Sequence, residues 1–147
     1  AGTAAGARDD PFANFFFGGF RNNGVDYREV KRYREYHAFP GPELNEIGGR
    51  NFAKAMLHWS LPPLRFRRVG ALPFYATWAR PGIFGRGLVT NLDDTASRRK
   101  VANLGAQIDV RFQLLTMQPL TLSTGYARAF ERGFAPTREW MVSLKIL

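Results

Sequence analysis

The sequence predicts an all-β chain, an antiparallel meander of about six long strands forming part of a transmembrane β-barrel. Three observations point there. Residues 102–114 alternate without a break: Ala102, Leu104, Ala106, Ile108, Val110, Phe112 and Leu114 are apolar, and none of the six residues between them is. That run of 13 exceeds the roughly 9–11 residues a strand needs to cross a bilayer. Four further segments repeat the two-residue period, and the connections between them alternate between short and long, as in outer-membrane barrels.

Composition sets the bounds. The 147 residues suit one domain, and 45% hydrophobic content with 13 Phe is too apolar for a disordered basic tail. Absence of Cys excludes a disulfide scaffold, a thiolate zinc site and a Cys nucleophile. The net charge of +9 comes mostly from arginine, 17 against 4 Lys, which suits phosphate or carboxylate partners. No run reaches 18 apolar residues, so no membrane-crossing helix is expected. Ala1 to Ala7 do not read as a signal peptide; the chain reads as a mature form or a piece of something longer.

Taken in order, residues 1–11 read as a flexible lead-in, and 12–147 as the C-terminal part of a barrel. Residues 12–20 read as an aromatic strand with neither face clearly polar. The stretch 21–50 reads as a long extracellular or lumen loop; within it Tyr27, Val30, Tyr33 and Tyr36 fall at helical spacing. In 51–61, Ala53, Ala55, Leu57, Trp59 and Leu61 share one face, opposite Lys54, His58 and Ser60. Residues 62–71 read as a periplasmic connection longer than usual. In 72–80, Leu72, Phe74, Ala76 and Trp78 share a face; 85–101 reads as a long loop. After 102–114 comes a short turn near 116–119, a strand over 120–127, a long charged loop over 128–139 and a last strand over 140–147.

Polarity assigns the two faces. Arg or Lys facing lipid at mid-membrane costs about 2–4 kcal/mol. The sequence therefore predicts that Lys54, His58, Gln107, Asp109 and Arg111 line a lumen, while Leu104, Ile108 and Phe112 meet lipid. Trp59, Trp78, Tyr126 and Trp140 are the expected lipid-interface aromatics, since such rings anchor at headgroup level. Six strands cannot close a barrel, and open backbone edges in lipid are costly. The expectation is the end of a longer barrel, or a wall completed by other chains.

An enzyme is not indicated. His58 reads as an interior histidine, His37 lacks a second nearby ligand, and neither a metal nor a cofactor is expected. Asp93 and Asp94 read as a solvated loop, and Gly82, Gly85 and Gly87 match no phosphate loop. Arg28, Arg32, Arg34, Arg86, Arg98 and Arg99 are expected in loops on the extracellular side, where lipid phosphates lie. Arg65, Arg67 and Arg68 are expected near the periplasmic surface. The rival class is a soluble basic β-protein that binds nucleic acid through interleaved aromatic and arginine residues in 27–36 and 64–68.

The stretch His37-Ala38-Phe39-Pro40-Gly41, then Ile47-Gly48-Gly49-Arg50-Asn51-Phe52 and the alternating strand to Leu61, resembles the end of the bacterial surface-antigen superfamily. That superfamily includes BamA, TamA and the two-partner secretion transporters. The resemblance implies a loop, 21–50, folded into the lumen with His37, Phe39, Gly48, Gly49 and Arg50 as its motif. It also implies that 51–61, 72–84, 102–114, 120–128 and 140–147 are the last five strands. Two departures stand out. The family's Val/Ile-Arg-Gly-Phe/Tyr motif reads Tyr36, His37, Ala38 and Phe39 here, and the strand that supplies its acidic partner reads Trp78-Ala79-Arg80-Pro81. Losing one partner of a buried pair costs about 3–5 kcal/mol, whereas losing both is tolerated. The last residue is Leu147 rather than the usual Phe or Trp. The resemblance implies protein insertion or translocation in the bacterial outer membrane; the missing ion pair leaves a pore wall or membrane anchor. The expected partners are outer-membrane lipid and the remainder of the barrel, with no nucleic acid.

Overall fold

The structure is a computed structural model that describes residues 1–4, 13–20, 37–71, 73–114 and 118–146. Their elements are β1 (Gly2–Thr3), β2 (Phe15–Phe17), β3 (Ile47–Gly49), β4 (Asn51–Ser60), β5 (Leu64–Ala71), β6 (Phe74–Thr90), β7 (Arg99–Leu114), β8 (Gln118–Glu131) and β9 (Thr137–Ile146). The chain is all-β, and every pairing between these strands is antiparallel. The main sheet runs β1-β4-β6-β7-β8-β9, with β5 also on β6. Among the described residues no ladder joins β9 back to β4 or β5, so the sheet is open.

β4 and β5 form one interrupted line along β6. β4 pairs with Gly82 to Thr90 and β5 with Phe74 to Ala79. Between them lie Pro62 and Pro63, which have no N–H to give to a ladder; Leu61 N still donates to Pro81 O at 2.9 Å. The expected connection at 62–71 is therefore mostly strand, and the tight turn comes after Ala71. The expected loop at 85–101 shrinks to 91–98, because β6 carries on through Gly85 and Gly87 to Thr90. Likewise β8 reaches Glu131, leaving 132–136 as the connection to β9. The proposed helical spacing at 27–36 lies outside the described residues.

Strand pairing fixes the faces, because directly opposed residues share one side of a sheet. Phe52, Lys54 and His58 of β4 stand on the same side as Arg86 and Phe84 of β6, and as Asn103, Gln107 and Asp109 of β7. We call this side the inner face, because residues 13–20 and 37–49 pack on it. Phe17, Phe39 and Ile47 are fully buried against Leu88, Val101 and Ala129, with Phe15 and Phe52 alongside. The aromatic segment expected at 12–20 is thus not a strand of the main sheet. Its residues Phe15 to Phe17 pair with Ile47 to Gly49 in a separate two-stranded ribbon. That explains why neither of its faces is polar.

The outer face is mainly apolar and exposed, with Lys100, Arg128 and Arg138 at its end toward 91–98 and 132–136. Leu57 is 76% exposed, Leu104 65%, Trp140 72% and Val142 73%. A bulge between Ala76 and Trp78 breaks the alternation of β6. Phe74 and Ala76 oppose Leu114 and Phe112, and Phe74 packs on Phe112 at 5.7 Å. Beyond the bulge Trp78 opposes Arg111 and Arg80 opposes Asp109, so Trp78 stands on the inner face. Its expected place among the outer-face aromatics is corrected by that one extra residue.

Candidate functional site: the inner face and its packed segment

The packed segment is suspended from four different strands. Lys54 Nζ of β4 and Arg86 Nη1 of β6 both donate to the Ala38 carbonyl, at 2.6 and 2.8 Å. Asn103 Nδ2 of β7 donates to Pro40 O at 2.6 Å. From β9, Glu139 accepts from Phe20 N at 3.0 Å and from Gly41 N at 2.9 Å. Within the segment, Phe39 N donates to Gly19 O and Gly19 N to Pro42 O. Strand cations and an amide take the segment's carbonyls, and a strand carboxylate takes its amides. Buried backbone that leaves its own ladder needs such partners, and charge makes these bonds stronger than neutral ones.

Local sequence explains why the segment fits. Gly41 has φ of +118° and lies against Ala129, where a Cβ would sit 2.5 Å from the alanine methyl carbon. Only glycine combines that dihedral with that approach. His37 is enclosed by rings, stacked on Phe15 at 5.7 Å and beside Phe17 and Phe52 at 4.9 and 6.0 Å. Gly48 and Gly49 form the β3 half of the ribbon. Arg50 Nε donates to Ala4 O at 3.0 Å, which ties β1 to the segment's exit. At the same end Arg99 makes a two-pronged pair with Glu131, at 2.8 and 2.6 Å, and reaches Glu46 at 3.7 Å.

Toward the other end the inner face carries a second polar group. Asp109 accepts from Gln107 Nε2 and Ser123 Oγ, both at 2.7 Å, and faces Arg80 Nη2 at 3.4 Å. His58, Ser60, Arg80, Gly82, Gln107 and Asp109 border a cavity of about 190 Å³. The Arg80 guanidinium also sits 5.6 Å from the centre of the Trp78 ring.

All five residues expected to line a lumen share this face. Lys54 holds the packed segment, His58, Gln107 and Asp109 border the cavity, and Arg111 follows Asp109 by two on β7. His37 and Phe39 are buried in the packed segment. Of the expected interface aromatics, Trp59 and Trp140 are exposed on the outer face, and Tyr126 packs on Trp140 at 4.7 Å. Sequence reading missed Arg86, Asn103 and Glu139 as anchors. Arg86 was expected in an extracellular loop but lies within β6, opposite Met56 and Asn103. Arg99 likewise opens β7 rather than lying in a loop. Asp93 and Asp94 organise their turn, Asp93 accepting from Asn51 Nδ2 and Asp94 from Ser97 Oγ, each at 2.7 Å.

Among the described residues, no three His, Cys, Asp or Glu side chains group as metal ligands. No described helix is long and apolar enough to cross a membrane, which says nothing about crossing by strands. Compared with family models, with curated proteins and with solved structures, the chain matches none.

Proposed function

We propose that this chain forms part of the wall of a membrane β-barrel, with lipid on the outer face and a plug segment on the inner face. It would serve as pore wall or membrane anchor rather than as an enzyme, in a bacterial outer membrane. The carrying observation is the sidedness of the sheet. All three acidic residues of the described strands, Asp109, Glu131 and Glu139, engage partners on the inner face. The outer face presents Leu57, Trp59, Leu104, Trp140, Val142 and Leu144 to the surroundings, each more than half exposed. Exposed apolar area on that scale needs a partner. β6, β7 and β8, at 17, 16 and 14 residues, exceed the roughly 9–11 needed for a crossing.

An open sheet in lipid would leave its edge N–H and C=O groups unpaired, at several kcal/mol each. The proposal therefore includes further strands, from the same precursor or from other chains, on the free edges of β9 and of β4 and β5. Passage of protein through or into such a wall remains the reading that the family resemblance supplies. A soluble nucleic-acid binder has less support, because Lys54, Arg86 and Arg99 are engaged with the packed segment and Glu131.

The absence of native Cys makes the test direct. Single cysteines at Ile108, Val142 and Leu144, and at Gln107 and Ser123, are introduced into the full chain reconstituted in lipid. A water-soluble maleimide is expected to label Q107C and S123C and to spare I108C, V142C and L144C. Equal labelling of both sets would defeat the membrane reading.

A further inference from the structure

We propose that the outer face of the β8–β9 hairpin is a binding site for the phosphate headgroup of a membrane lipid, with Arg128 and Arg138 as its two ligands. The inference rests on the membrane reading above and names what that face recognises.

Arg128 and Arg138 are directly opposed across the β8–β9 ladder, in one row with Leu104 of β7. Both are exposed on the outer face. Opposed like charges on one sheet face destabilise the pair, so the arrangement calls for an anion between them. Among the described residues no strand supplies one there: Asp109, Glu131 and Glu139 all engage the inner face. Among the described residues neither guanidinium has an ion pair, and that of Arg128 lies 5.6 Å from the centre of the Phe130 ring. Two guanidinium forks side by side match the oxygens of a phosphate.

The surroundings select a lipid over a free ion. The next row toward the middle of the sheet is Tyr126 opposite Trp140, their rings 4.7 Å apart. Beyond it Val142 and Leu144 continue an exposed apolar track. Aromatic rings beneath cations, and aliphatic side chains beneath the rings, repeat the order of headgroup, interface and acyl chain. Arg128 stands three residues before the end of β8, where a cation on the lipid side costs about 0–1 kcal/mol instead of the mid-membrane penalty.

Trp140 reports on the site. The full chain carrying W59F and W78F, folded in detergent, retains Trp140 as its single indole. It is titrated with phosphatidic acid brominated on its acyl chains, and in parallel with equally brominated phosphatidylcholine, whose phosphate is already paired with its own choline. Phosphatidic acid is expected to quench Trp140 at about tenfold lower concentration. R128Q/R138Q should abolish that preference while both lipids still quench, and R128K/R138K should restore part of it. Equal quenching by the two lipids with both arginines present would overturn the phosphate site and leave the membrane reading standing. No quenching by either lipid would overturn the membrane reading itself. Loss of the preference in millimolar inorganic phosphate would assign the arginines to a free anion and overturn the lipid assignment.

Discussion

The Ala38 carbonyl receives two cations from two different strands, Lys54 and Arg86. Both charged heads also lie over rings: Lys54 Nζ is 5.9 Å from the centre of Phe17, and Arg86 Cζ 5.1 Å from that of Phe84. Replacing Arg86 by Met keeps much of the stem and removes the charge. R86M is expected to lower stability toward denaturant by about 1.5–3 kcal/mol, the range for a hydrogen bond to a charged group. Its unfolding midpoint in detergent, against that of the parent chain, measures this. Gly41 offers a second test. G41V combines an unfavourable dihedral with overlap on Ala129, so it should expel the segment from its seat and expose the 37–42 backbone to protease while the outer face stays unchanged. Neither Arg86 nor Glu139 was legible as an anchor in the sequence. Their partners are backbone atoms separated from them by 48 and 98 positions, and main-chain acceptors leave no mark in composition or spacing.

At the scale of elements, legibility followed the constancy of the environment. β7 stood out because from Ala102 to Gln113 its apolar residues all fall on the outer face and the residues between them on the inner one, a strict two-residue period. β6 was harder. Its Gly82, Gly85 and Gly87 resemble strand breakers, yet the pairing with β4 and β7 passes through all three. On β7 the same logic holds at Gly105, where a side chain would run into the Phe84 ring. β5 was hidden by Pro62 and Pro63 and by its own irregularity between Arg65 and Val69. The bulge near Thr77 misdirected the reading of Trp78, because alternation counted through an extra residue inverts every later assignment. Deleting Thr77 removes the one residue of β6 that has no partner on β7, so both flanks keep their register and Phe74 stays opposite Leu114 on the outer face. F74C should therefore remain protected from a water-soluble maleimide in lipid, with Thr77 present or deleted.

For the whole molecule, the sheet is a surface with two chemistries and two unfinished borders. Its packed segment occupies the end nearest 91–98 and 132–136, while the Asp109 cluster borders a cavity toward the Ala71–Phe74 end. Under the proposed reading this makes a wall blocked at one mouth and wet at the other. Removing the Glu139 carboxylate frees two segment amides at once, so E139A in the assembled barrel should raise single-channel conductance in a planar bilayer. Neutralising Asp109 and Arg111 together should instead alter ion selectivity, with the segment still seated. Unchanged currents in both variants would place the conduction path elsewhere.

Glu139 also joins the two ends of the chain order. The residues that it grips, Phe20 and Gly41, precede nearly all of the sheet, whereas β9 is the last strand in chain order. The early segment is therefore fully clasped only where the latest strand is in place. A sheet that lacks β9 would hold the packed segment without its carboxylate clasp.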